Sequence, residues 1–188
     1  MKTLLKNIRI MYPNLAYPRD FDGNKMFCYS ASFLLAKGDE NYNLIHDAIK
    51  SVADEAWGNK ANENLRNAKT NNRICIKDGV GDFEGQYILR SGTKKETPPR
   101  QPRRPLIMGR HPKVQIQDGE IESLIYGGCY VNAMVRPWAH EYAGSKQINC
   151  DLLAVQFVGH GEAFTSSAVA SADEFPVVPD DDDEEVFF

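Results

Sequence analysis

"GGCYVNAMVRPWAHEY", residues 127–142, alternates side-chain character with a period of two, the signature of a β-strand. Cys129, Val131, Ala133 and Val135 fall on one face, which is small, apolar and suited to the interior of a narrow barrel. Tyr130, Asn132, Met134, Arg136 and Trp138 fall on the other. Rings and a guanidinium on the solvent side of a strand can stack bases and meet phosphates. The alternative is that Tyr130 and Trp138 pack beneath a neighbouring loop.

Outward from this strand the chain is mostly β-patterned. Residues 4–11 and 26–36 predict the first two strands, joined by a proline-bounded loop, "YPNLAYPRDFDGNK". Tyr12, Tyr17, Arg19 and Phe21 interleave aromatics with a base there, and either line a binding groove or cap a barrel end. Asp39 is a helix N-cap, and Ile45, Ala48, Ile49, Val52 and Ala56 form one apolar stripe towards Trp57, with Gly58 as the stop. Trp57 lies on that stripe and reads as a core residue. The Asn/Lys-rich residues 59–72 predict a loop or a frayed helix. Strands are expected at 73–76, 84–93, 113–117 and 148–161. The stretch "KKETPPRQPRRP" carries four prolines and cannot be a central strand or a helix. Several strands, one helix and long connections predict a mainly β fold: an elaborated OB-fold, a five-stranded Greek-key barrel. A β-sandwich is the other candidate.

Charge divides the chain. The 188 residues carry 22 Lys and Arg against 26 Asp and Glu, a net charge of −4. Residues 162–188 hold nine acids and no base, so residues 1–161 carry +5. Within that body Arg90, Lys94, Lys95, Arg100, Arg103, Arg104, Arg110 and Lys113 face the single acid Glu96. This is the footprint of a polyanion site, with residues 94–104 expected as a mobile arm closing over the strand. A basic solvated loop is the plainer reading. Residues 162–188 combine small polar residues with acid and are expected to be disordered. They end in Asp180, Asp181, Asp182, Asp183, Glu184 and Glu185, then Val186, Phe187 and Phe188. Exposed aromatics after a run of acid point to a binding partner.

Other function classes find little support. Asp20, Asp22 and Asn24 have calcium-loop spacing, but Lys25 replaces the required glycine and Ala31 the bidentate glutamate. "GVGDFEG" lacks the order of a phosphate-binding loop, and Asp82 and Glu84 would repel phosphate. Asp78, Asp82 and Glu84 could form a nuclease metal cluster, although Asp78-Gly79 is better read as a turn. His46, His111, His140 and His160 are scattered, so no metal, cofactor or catalytic residue is assigned. Cys28, Cys75, Cys129 and Cys150 form no CxxC pair and read as buried, reduced thiols of a cytoplasmic protein. No apolar run approaches a membrane span, and Lys6 and Arg9 interrupt any signal-peptide core.

"RIMYPNL", "YSASFLLAKGD", "AWGNK", "DFEGQYILRSGTKK", "YGGCYVNAMVRPWA" and "LLAVQFVGHGE" together resemble a family of bacteriophage single-stranded DNA-binding proteins with an OB-fold core. The acidic end separately resembles the Phe-ended C-termini of bacterial and podophage single-strand binding proteins, with Phe-Phe in place of the usual Pro-Phe. The resemblance implies sequence-tolerant binding of single-stranded DNA in phage replication, recombination or repair, inside the infected host and without catalysis. It also implies a tail that recruits replication or recombination proteins. The charge division adds competition between tail and DNA for the groove. The alternative class is an inhibitor whose acidic tail mimics nucleic acid, and a metal-dependent nuclease accessory is a third.

Overall fold

Residues 1–20 and 23–164 of the chain are described in a computed structural model. The acidic arm from residue 165 onward lies outside them, as does Phe21. β1 (Thr3–Asp20) and β2 (Phe27–Ala36) pair antiparallel. β1 does not stop at Met11: the expected proline-bounded loop is largely strand. Its pairing slips between Leu5 and Ile8, Met11 and Asn14, and Asn14 and Arg19, with Asn7 and Tyr12 at positive φ. Each slip exchanges inward and outward positions, which breaks the alternation on which a sequence reading relies. Pro13 and Pro18 lie inside the slipped stretches, where the ladder needs no N–H.

Helix α1 (Glu40–Trp57) begins where Asp39 caps it, the Tyr42 N–H donating to Asp39 Oδ1 at 2.6 Å. Its buried stripe is Ile45, Ala48, Ile49 and Ala53; Val52 is half-buried and Ala56 is exposed, contrary to the expected phase. α1 packs across β1 and the later strand that carries the opening motif. A second helix, α2 (Ala61–Thr70), occupies the segment expected as a loop or a frayed helix. Ala61, Leu65 and Ala68 give it one thin apolar edge along α1, and that tertiary contact outweighs the poor helix propensity of its asparagines.

β3 (Ile76–Asp78) and β4 (Gln86–Gly92) form a hairpin, so the strand expected at 73–76 begins at its last residue. Asp78-Gly79 is not the turn: Asp78 ends β3, the Gly79 N–H donates to the Gln86 carbonyl at 2.8 Å as a continuation of the ladder, and the chain reverses at residues 81–85. β5 (Leu106–Met108) follows the proline-rich segment, then α3 (Ile121–Leu124). Residues 113–117 are not a strand; Gln115 makes one isolated bridge to Met108. β6 (Tyr130–Tyr142) and β7 (Ser145–Gly159) complete the described chain.

The ladder runs β4-β2-β1-β6-β7, and a parallel contact between Gly92 of β4 and Asp151 of β7 closes it into a five-stranded barrel. The Greek-key barrel is therefore the fold and the sandwich is not. β3 and β5 flank the ring. Cys129, Val131, Ala133 and Val135 are fully buried inside it with Leu5, Ile10, Phe33, Leu89 and Leu152. All four cysteines are buried and none forms a disulfide. Among the described residues no helix is long and apolar enough to cross a membrane.

Candidate nucleic-acid interface

Beyond Val135, β6 loses its partner β1 and continues with β7 alone as a two-stranded arm to Tyr142 and Ser145. Pro137 is compatible with this position because no strand on that side requires its missing N–H. The foot of the arm, the end of β4, the start of β2 and residues 72–75 enclose a groove of about 1100 Å³. Arg73, Arg90, Lys94, Lys95 and Arg136 line it against the single carboxylate of Asp151.

That carboxylate organises the β6 wall. Asp151 Oδ2 accepts from Arg136 Nε at 3.1 Å and Nη2 at 2.6 Å, while Oδ1 accepts from the Trp138 indole N–H at 2.8 Å. One residue thus fixes both a cation and a ring. The indole is 37% exposed and meets His140 edge-on at 5.5 Å. A preset aromatic surface beside guanidinium groups can stack a base at low ordering cost. Cys150 at the groove is no reactive nucleophile: hydrogen bonding with Cys75 and then burial push its pKa well above the ordinary value.

The remaining expected residues separate into groups. Tyr130 shares the outer face of β6 with Trp138, but eight residues apart at strand rise is roughly 26 Å. Its neighbour is Arg9, 5.8 Å from its ring centre, and the Asn132–Gln156 hydrogen bond lies between the two aromatics along the strand. The structure does not bring Tyr130 and Trp138 together. Arg110 stands 5.7 Å from the Phe157 ring, and its carbonyl accepts from Gln156. Arg110 and nearby Lys113 are exposed beyond β5, outside the groove. Tyr12 and Tyr17 are 72% and 70% exposed on β1, and Arg19 is exposed opposite Cys28, which lines the groove.

The proline-rich segment is tethered at both ends. Glu96 exchanges backbone hydrogen bonds with Phe27, and the hydrogen bond from Lys94 keeps the Glu96 pKa below its ordinary value. Arg104 donates to the Ala16 carbonyl at 2.6 Å, pairs with Asp118 and lies 5.4 Å from the Tyr29 ring. Burial opposes its charge, but Tyr29 and Asp118 more than offset that and raise its pKa. Arg100 and Arg103 are exposed between these anchors.

Sequence reasoning missed Arg73, His140 and Asn149 in the groove. His140 was available, being two residues past Trp138 on the same alternation. Arg73 was not, because it reaches the groove through a long-range pairing, its carbonyl accepting from the Ile148 N–H. Arg9 was also missed; its guanidinium sits 4.0 Å from the Phe164 ring centre and holds the Gly128 and Glu162 carbonyls. Residues 162–164, read from sequence as tail, are thereby placed on the barrel. The acidic side chains once considered for metal lie elsewhere: Asp78 pairs with Lys69 at 3.2 Å, and Asp82 and Glu84 are exposed in the β3–β4 loop.

The family described as Enterobacter phage Enc34, ssDNA-binding protein, matches residues 1–187. Protein p50 of Acyrthosiphon pisum secondary endosymbiont phage 1 is 36% identical over 183 residues, covering 93% of this chain and 92% of that protein. The single-stranded DNA-binding protein from bacteriophage Enc34, solved in complex with ssDNA, is similar with TM-score 0.62 and 27% identity, covering 87% of this chain and 89% of that one. The single-stranded DNA-binding protein encoded by bacteriophage T7 shares the fold at TM-score 0.58 and 14% identity, covering 91% of this chain and 97% of its own. With a match that spans the body and nearly all of the tail, the chain belongs to the family of the phage Enc34 ssDNA-binding protein.

Proposed function

We propose that the chain binds single-stranded DNA without marked sequence preference, in the groove at the foot of the β6–β7 arm, during phage DNA replication. The observation that carries this is the Asp151-fixed pair of Arg136 and Trp138 facing Arg73, Arg90, Lys94 and Lys95 across one open groove. Cations there meet phosphates and the indole stacks a base. Neither reads base edges, so sequence is tolerated. Family membership supports the same class, since the Enc34 protein was solved with ssDNA bound. The chain acts as a binding protein in the infected host, not as a catalyst. Recombination and repair are further contexts of the same binding. Arg100 and Arg103 extend the cationic track over the groove's rim, and the tail residues from Asp180 to Phe188 recruit partner proteins of replication.

The test is a titration of the full chain against single-stranded and duplex oligonucleotides of one length at two salt concentrations. Single strands should bind more tightly, with a log-log salt slope of about −0.7 per phosphate neutralised. Equal or tighter duplex binding would overturn the proposal.

A further inference from the structure

A second concavity adjoins the groove: Ile74 lines both, and this cup lies where α1 and α2 meet the β3–β4 hairpin. It measures about 320 Å³, and Ile49, Leu65 and Ile76 contribute apolar surface to it. Its remaining wall is aromatic. The Tyr42 ring stacks on Tyr87 at 4.5 Å and on His46 at 5.8 Å, so three lining rings lie face to face. His46 is the open end of that stack, with 57% of its side chain exposed. Lys50, Arg66, Lys69, Lys77 and Asp78 form the rim. Lys69 and Asp78 pair with each other at 3.2 Å, so Lys50, Arg66 and Lys77 give the lining an excess of positive charge.

Stacked rings beside cations suit a nucleobase and its flanking phosphates, the same chemistry that lines the groove. The two sites are also joined by charge. Lys77 lies opposite Ile88 in the hairpin and Arg90 follows two residues later on β4, so the two cations share one face of the sheet on a diagonal of roughly 7–8 Å. One extended nucleotide step spans that gap. Burial first, and Arg90 second, hold the Lys77 pKa below that of an ordinary lysine, and a phosphate between the two cations would favour the charged form again. Room is sufficient, since a cavity of about 150 Å³ already accepts a benzene ring and a pyrimidine is little larger. We propose that a single strand lying in the groove runs on past Arg90 and Lys77 and lays one base against the His46–Tyr42–Tyr87 stack, its phosphates meeting Lys50 and Arg66. The inference rests on the groove as the first DNA site and adds a second stacking site to it. Strands too short to leave the groove never reach the cup.

Oligothymidylates of about 5 and about 15 nucleotides, both within the range that one OB-fold covers, separate the two sites. Each is titrated into the full chain and into a full-length Lys50→Ala, Arg66→Ala variant, whose two changes are at exposed positions. The variant should bind the short strand as the parent does and the long strand roughly tenfold more weakly, with a salt slope shallower by up to about 1.4 for the long strand alone. His46→Ala should likewise weaken only the long strand. Amide chemical shifts at His46, Leu65, Lys77 and Tyr87 should move with the long strand and not with the short one. Equal losses at both lengths, no loss at either, or cup amides that stay still with the long strand would each overturn the proposal. So would a short acidic peptide carrying one phenylalanine that moves those amides when the long strand does not, which would assign the cup to a protein. Trp138→Ala with the short strand tests the groove separately: an unchanged affinity there would remove the groove site, and this extension with it.

Discussion

Trp57 and Trp138 separate core from surface. Trp138 is held by one hydrogen bond to Asp151 at the groove wall, whereas Trp57 is half-buried against the core at the end of α1, with Lys146 5.9 Å from its ring. Trp138→Ala should weaken single-strand binding by about 1–3 kcal/mol in a fluorescence or anisotropy titration while leaving the melting temperature nearly unchanged. A large loss of stability with intact affinity would make Trp138 a core residue. Trp57→Ala should do the reverse, costing roughly 2 kcal/mol of stability rather than unfolding the domain, because the ring is only partly enclosed. The second glycine of the signature motif is a third case. Gly128 has φ +114, and a Cβ there would overlap the Glu162 carbonyl. Gly128→Ala should therefore cost roughly 2 kcal/mol in denaturant unfolding and displace residues 161–164. The motif's alternation was readable residue by residue because β6 stays in phase from Cys129 to Val135. The purpose of its glycine was not, since the clashing carbonyl is 34 positions away in sequence.

At the level of elements, the proline-rich segment between β4 and β5 is not uniform. Arg104 is bound to Ala16, Asp118 and Tyr29, whereas Arg100 and Arg103 face solvent. Arg104→Ala should lower stability by roughly 1–2 kcal/mol, about 2–8 °C for a chain this long. The Arg100→Ala, Arg103→Ala pair should leave the melting temperature unchanged and make the salt slope of DNA binding shallower by up to about 1.4. An unchanged slope in the pair would leave that stretch a solvated loop. Composition alone marked all three arginines alike, because the contacts that distinguish them lie on β1, β2 and the turn before α3. The same limit explains the misread elements. β1 reads short in the sequence because three register slips reset its alternation, and α2 reads as either loop or frayed helix because its apolar edge is only three residues wide. A strand such as β2, in one register along β4 from Ser30 to Ala36, was legible almost to the residue.

Over the whole molecule, the barrel was inferable because several β-patterned segments with one long helix leave few ways to bury both strand faces. Its closure rests on one parallel contact, Gly92 to Asp151, which no local pattern announces and which also brings Arg90 to face Arg136 and Trp138 across the groove. The charge division was legible outright, and it governs the last prediction. Removing residues 173–188 deletes eight carboxylates and turns the net charge from −4 to +4. On the proposed reading those carboxylates, tethered at high effective concentration to a body whose groove holds five cations, would compete with DNA phosphates for them. Single-stranded DNA carries a longer line of charge and would win, but only after displacing the arm. The truncated chain should therefore bind single strands more tightly than the full chain at low salt. The gap should close as salt rises, because at 1 M the screening length falls to about 3 Å. Titrations of both chains across a salt series measure the gap directly. A gap of the same size at every salt would mean that the tail acts by a contact and not by charge, and no gap at low salt would mean that it does not reach the groove.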